Sequence, residues 1–125
     1  MYKRQFLHGY SLEFEFVFGT NKLDDNNWVV DFGSLKNLEG WLRQNFDHKT
    51  LVASDDPMYT VFENLHENGI IDMVTVEDTG CEMFAKMAME NAKALIQNIT
   101  KDRCWVESVT VREHGANSAT CVRDN

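Results

Sequence analysis

Between Ser11 and Phe18 the chain alternates: Leu12, Phe14, Phe16 and Phe18 fall on one parity, and Glu13, Glu15 and Val17 on the other. A period of two sends successive side chains to opposite faces, so this pattern predicts a strand with its phenylalanines turned inward. His8 and Tyr10 share the phenylalanine parity and would face the buried side if the strand reached back to them. Residues 19–27 are rich in Gly, Asn and Asp and predict a turn, after which Trp28-Val29-Val30-Asp31-Phe32 reads as a second strand closing a hairpin. Past Gly33 the period lengthens. Leu35, Leu38, Trp41, Leu42 and Phe46 recur at helical spacing, with Ser34 placed as N-cap and Asp47-His48-Lys49 closing the helix. A loop is expected from there to Pro57. Tyr59, Phe62 and Leu65 predict a short helix ending at Gly69, and residues 70–76 a short strand.

The longest pattern follows. Cys81, Phe84, Ala85, Ala88, Ala92, Leu95 and Ile96 form one apolar stripe of a helix, and Met83, Met87 and Met89 beside it read as core filling. The last expected strand runs from Trp105 to His114. Val109, Val111 and Glu113 share one face of it, so an apolar face ends in a carboxylate. The order is strand, strand, helix, short helix, strand, helix, strand. It predicts an α+β domain with a mostly antiparallel sheet and helices on one face.

The 125 residues suit a single domain, 1–125, and a chain of this length buries roughly two-thirds of its unfolded surface. A hydrophobic fraction of 43% with 26% charged residues places it among globular chains. The net charge of −8 disfavours nucleic acid and anionic membrane, whose phosphates demand Lys and Arg. No apolar run approaches the ~20 residues of a membrane span, and no signal-peptide pattern follows Met1. Three widely spaced cysteines without a CxxC pair fit neither a disulfide framework nor a zinc ribbon, and point to a reducing cytoplasm.

Four places could carry chemistry. Asp47 beside His48 can hold an imidazole tautomer for acid–base work, or the histidine can simply face the dipole at a helix C-terminus. Glu113 can offer two acceptors to a guanidine-like edge, or mark a strand emerging into solvent. His8 alone is a weak metal candidate, since catalytic zinc takes about three protein ligands. Cys81 sits at a helix start, where a thiolate is favoured, but also on the apolar stripe, where it would only pack.

In order, the chain carries Phe6-Leu7-His8-Gly9-Tyr10, the run from Trp28 to Lys36, Phe46-Asp47-His48-Lys49-Thr50-Leu51, Gly80-Cys81-Glu82 with Ala85, and the run from Val109 to Ala119. With these blocks, residues 6 to about 120 resemble the 6-pyruvoyltetrahydropterin synthase and 6-carboxytetrahydropterin synthase family, most of all its bacterial and phage 6-carboxytetrahydropterin synthases. The resemblance implies a T-fold: an antiparallel sheet with helices on one face, assembled into a homo-oligomer with active sites between subunits. It implies a zinc-dependent carbon–carbon lyase converting 7,8-dihydroneopterin triphosphate to 6-carboxytetrahydropterin, acetaldehyde and triphosphate in the cytoplasm, toward queuosine and other 7-deazaguanines. By the same resemblance His8 is a Zn2+ ligand, Asp47 and His48 the catalytic acid–base pair, Glu113 the pterin anchor, and Cys81 and Glu82 part of the pterin pocket.

The departures lie at the start. Tyr10 stands where the family has a second histidine, and Arg4 where it has a catalytic cysteine four residues before His8. A further family histidine belongs upstream of that. The expectation is therefore an enzyme of this family truncated at its N-terminus, without the first strand of the fold, a loss that can cost the chain its activity. The alternatives are a non-catalytic T-fold subunit binding a pterin or purine, and 6-pyruvoyltetrahydropterin synthase activity.

Overall fold

The alternation after Ser11 forms β1 (Leu12–Thr20), in which Glu13, Glu15 and Val17 are exposed and Leu12, Phe14, Phe16 and Phe18 are turned toward the core. In this computed structural model the described residues are 11–26, 29, 30, 32–113 and 117–124. After β1 come a 3-10 turn (Phe32–Leu35), α1 (Lys36–Phe46), β2 (Thr50–Ala53), α2 (Tyr59–Glu67), β3 (Met73–Val76), α3 (Cys81–Thr100), β4 (Cys104–Glu113) and β5 (Ser118–Val122). The calls on His8, Tyr10, Trp28, Asp31 and His114 lie outside the described residues.

The main sheet has the order β1-β4-β5 with both pairings antiparallel. Among the described residues, the partner of β1 is β4 and not the expected hairpin strand at 28–32. Val29 and Val30 form a bend, and Phe32 opens the 3-10 turn. The carbonyl of Val29 accepts hydrogen bonds from Arg103 Nη2 at 2.8 Å and from Cys104 Sγ at 2.8 Å. Its acceptor capacity thus goes to side chains at the α3–β4 corner, and β4 takes the place beside β1.

The register from Leu12↔Glu113 to Thr20↔Cys104 is interrupted between Val17 and Phe18, whose partners are Ser108 and Val106. One residue on β4, Glu107, is therefore bulged out, and a bulge reverses the side-chain parity beyond it. That is why Cys104 and Val106 share the buried face with Val109 and Val111, although the two pairs differ in parity. Glu107 is exposed, and its carboxylate accepts the Trp105 indole N–H at 2.7 Å. A short inward and outward alternation, Ala119 and Cys121 toward the core, adds β5, a strand the sequence pattern did not suggest.

α3 lies across β4 and β5 with Phe84, Ala88, Ala92 and Ile96 fully buried and Ala85 nearly so. The alanines keep the helix face shallow, so the helix approaches the valines of β4 closely, and deep burial of that face is the main stabilising term. α1 begins at Lys36 with Leu35 as its N-cap rather than Ser34, because the 3-10 turn runs directly into it.

The segment expected as a loop after His48 contains β2, which pairs in parallel with β3, Thr50 opposite Met73 through Ala53 opposite Val76. A parallel pair needs a crossover, and α2 supplies it. Both ends of α2 are tied to β3, by Tyr59 Oη to Thr75 Oγ1 at 2.9 Å and by the Met73 N–H donating to His66 Nδ1 at 3.1 Å. Gly69 ends this unit at φ +74°, its N–H donating to the His66 carbonyl at 3.0 Å. Among the described residues no helix is long and apolar enough to cross a membrane.

Candidate functional site

Three separated stretches of sequence meet through one aromatic ring. Phe46, the last residue of α1, has its centroid 4.9 Å from Phe14 of β1, 5.3 Å from Phe84 of α3 and 5.8 Å from Trp41. Such tilted and edge-on contacts add about 0.5–1.5 kcal/mol each beyond area burial. Phe84 is one helical turn from Cys81. Phe14 pairs with Val111, two residues before Glu113. Asp47 and His48 follow Phe46 directly. The cluster therefore ties the end of α1, the start of α3 and the end of β4 to one side of the sheet.

At the end of β4, Glu113 is half-buried and opposite Leu12. Its N–H donates to the Asn117 carbonyl at 2.8 Å, and Asn117 Nδ2 donates to Glu113 Oε2 at 3.4 Å. These contacts leave the carboxylate with acceptor capacity for further donors. Cys81 opens α3 and is buried, at 7% exposure. Burial pushes its thiol up from the ordinary value, and the charges of Glu113 and Glu82 push it the same way. Of the two readings open to Cys81, packing is the one its burial agrees with: loss of hydration and two nearby carboxylates disfavour the thiolate. The same interaction places Glu113 and Glu82 within electrostatic reach of Cys81. Glu82 is exposed, one residue into α3.

Asp47 and His48 lie in the connection from α1 to β2. His48 Nε2 is 3.6 Å from Asp47 Oδ1, beyond hydrogen-bond length, and its side chain is 93% exposed. His48 adopts φ +55°, a left-handed conformation that costs a residue with a Cβ roughly 1–2 kcal/mol. On one side the Asp47 N–H is held by the Arg43 carbonyl at 3.1 Å. On the other, Lys49 Nζ donates to Asp72 Oδ2, and the Thr50 N–H donates to the Asp72 carbonyl at 2.7 Å. The Lys49 hydrogen bond is the main cause holding the Asp72 carboxyl below its ordinary value. No sequence signal marked this pair, whose members are 23 positions apart.

Among the described residues no group of three His, Cys, Asp or Glu side chains could hold a metal ion. The donor set that zinc requires is not assembled among them.

An antiparallel sheet with α3 across one face, and with Glu113 of β4 near enough to Cys81 of α3 to act on its thiol, is an architecture that comparison identifies. The family described as 6-pyruvoyl tetrahydropterin synthase matches residues 2–124, and the chain belongs to it. Relatives called 6-carboxy-5,6,7,8-tetrahydropterin synthase are 44% identical over 55 residues in Rickettsia typhi and 32% identical over 72 residues in Aquifex aeolicus. The matched segments cover 43% and 57% of this chain, and span 40% and 44% of those relatives' length. Two solved structures share the fold. One, from Wolinella succinogenes, has a TM-score of 0.77 at 17% identity over 94% of this chain and 79% of its own. The other is the 6-pyruvoyltetrahydropterin synthase of Plasmodium vivax, with a TM-score of 0.67 at 16% identity over 98% of this chain and 85% of its own. The architecture is the T-fold of this family.

Proposed function

We propose that the chain acts as a 6-carboxy-5,6,7,8-tetrahydropterin synthase, converting 7,8-dihydroneopterin triphosphate to 6-carboxytetrahydropterin with release of acetaldehyde and triphosphate, on the route to queuosine. The observation that supports this reading is the half-buried Glu113 carboxylate at the end of β4, near enough to Cys81 at the start of α3 to act on its thiol; Asp47 and His48 follow Phe46 of the aromatic cluster in sequence. The relatives of that name support the choice of product within the family.

In this reading the Glu113 carboxylate accepts two N–H donors from the guanidine-like edge of the pterin, a bidentate charge-assisted contact that fixes ring orientation. Cys81, kept as a neutral thiol, packs against the ring near that edge, with Glu82 at the rim. His48 Nε2 faces Asp47, which leaves Nδ1 to take and return protons on the substrate side chain. Zinc, which the resemblance implies, would be held by His8 with donors outside the described residues, and when bound would polarise the side-chain oxygens. The protein acts in the cytoplasm, as one domain, in a homo-oligomer whose sites lie between subunits. β1 and β5, the outer strands of the sheet among the described residues, offer edges for such assembly.

Binding and turnover of 7,8-dihydroneopterin triphosphate test this, with metal analysis alongside. Glu113→Gln turns one acceptor into a donor and is expected to weaken binding about tenfold or more while folding is retained. Unchanged affinity in a folded Glu113→Gln protein would remove the anchor role. Binding without turnover at any zinc loading would favour a non-catalytic pterin-binding subunit.

A further inference from the structure

The parallel register of β2 and β3 sets Thr50 opposite Met73, so the residues just before the two strands, Lys49 and Asp72, are also side by side. Asp72 holds this junction twice. Its carbonyl accepts the Thr50 N–H at 2.7 Å, and its carboxylate accepts Lys49 Nζ. The Lys49 side chain is 20% exposed and that of Asp72 56%, so the ammonium is partly withdrawn from solvent while the carboxylate stays hydrated. The next group along, His66 at the end of α2, is turned to β3 instead, its Nδ1 accepting the Met73 N–H at 3.1 Å.

Upstream the chain is equally constrained, by the Phe46 ring in the aromatic cluster and by the Asp47 N–H on Arg43. His48 is the residue left between two anchors, and it alone in this junction has a left-handed φ. An unfavourable backbone conformation of this sort persists only where its surroundings over-determine it. With Lys49 released, the junction can relax to negative φ and swing the imidazole away from its present direction.

We infer that Asp72 is a positioning residue for His48, acting through Lys49; the catalytic consequence rests on the proposed acid–base role of His48. The ion pair completes the downstream anchor that keeps His48 in its left-handed conformation, and so aims a solvent-exposed imidazole at one place. The backbone bond from Thr50 to Asp72 survives any change in the Asp72 side chain, so the side-chain contribution can be read by itself.

The test uses the full chain, with nuclear magnetic resonance and steady-state turnover of 7,8-dihydroneopterin triphosphate. In Asp72→Asn the His48 and Lys49 backbone amide signals are expected to move, while the ring signals of Phe46 and Phe84 stay in place. Turnover is expected to fall about tenfold in kcat with KM nearly unchanged, the signature of a misdirected group rather than lost substrate binding. Lys49→Gln breaks the same pair from the other side and must give the same two effects; it decides the matter if Asp72→Asn does not fold. The exchanged pair Lys49→Asp with Asp72→Lys should recover both readouts. Unmoved His48 signals in a folded single variant, or no recovery in the exchanged pair, overturns the inference. His48→Gln separates this from the parent reading. If it leaves turnover intact, the acid–base role fails, whereas the amide signals still report whether Asp72 holds the junction.

Discussion

Replacing Phe84 by Ala tests whether one aromatic cluster joins the fold to the site. Phe84 is 0% exposed, on the face of α3 that meets the sheet, and edge-on to Phe46 at 5.3 Å and 77°. Removing the ring forfeits a burial term of about 1.5–3 kcal/mol. The hole it leaves lies between a helix and a sheet that cannot both close onto it, so the cavity term adds to this. The total expected is about 3–5 kcal/mol, a large share of the 5–15 kcal/mol that holds typical domains together. With a urea m-value of about 2 kcal/mol/M, the midpoint should fall by roughly 2 M. The pairwise part is separable. A double-mutant cycle of Phe84→Ala with Phe46→Ala should give a coupling of about 0.5–1.5 kcal/mol, measured by urea unfolding followed by Trp fluorescence. Val61→Ala, at a residue 47% exposed on α2, is the control and should stay within about 0.5 kcal/mol of the parent. A Phe84→Ala cost near that of the control, or a coupling indistinguishable from zero, would refute the picture of a shared aromatic floor beneath the site.

Gly19→Ala should destabilise by about 1–3 kcal/mol through overpacking. A Cβ there would lie 2.5 Å from Trp105 Nε1, and that indole is held by Glu107 and covered by Arg123 at 4.3 Å; Trp105→Leu in the same chain should relieve most of the penalty in thermal melts. Glu113→Gln removes one of the charges that raise the Cys81 thiol, so alkylation of Cys81 by iodoacetamide at pH 8 should speed up; no change would mean the two groups do not interact. Asp72 has a folded-state value below its unfolded one. Its stabilising contribution is therefore present above the ordinary value of 3.8 and is lost as the pH falls through that value toward the lowered one. Denaturant midpoints of Asp72→Asn should accordingly lie below those of the parent at pH 6 and converge with them on acidification.

The strongest periodicities translated directly into structure. The alternation of Leu12, Phe14, Phe16 and Phe18 became β1, and the stripe from Cys81 to Ile96 became the core face of α3. Both follow from local geometry, since a run of side chains with one period can bury a single face only as one element type. Glu113 was legible for the same reason: a carboxylate ending an apolar strand face stands out by parity. Pairing was not legible, because a strand's apolar face does not name its neighbour. The Val29 carbonyl is taken by Arg103 and Cys104 side chains, and β1 pairs with β4.

Asp47 and His48 could be singled out as a pair by residue type, and the resemblance of the surrounding blocks named the family to which the chain belongs. Their setting came from tertiary structure alone. The left-handed turn at His48, the Phe46 anchor before it and the Lys49–Asp72 anchor after it depend on contacts with β1, α3 and the start of β3. Likewise the packing of Cys81 could be read from the apolar stripe, whereas the nearness of Glu113, 32 positions away in sequence, could not. Local sequence set which faces were apolar and which residues could do chemistry. Register, burial and the meeting of distant charges, which are properties of the packed chain, decided how those residues are held.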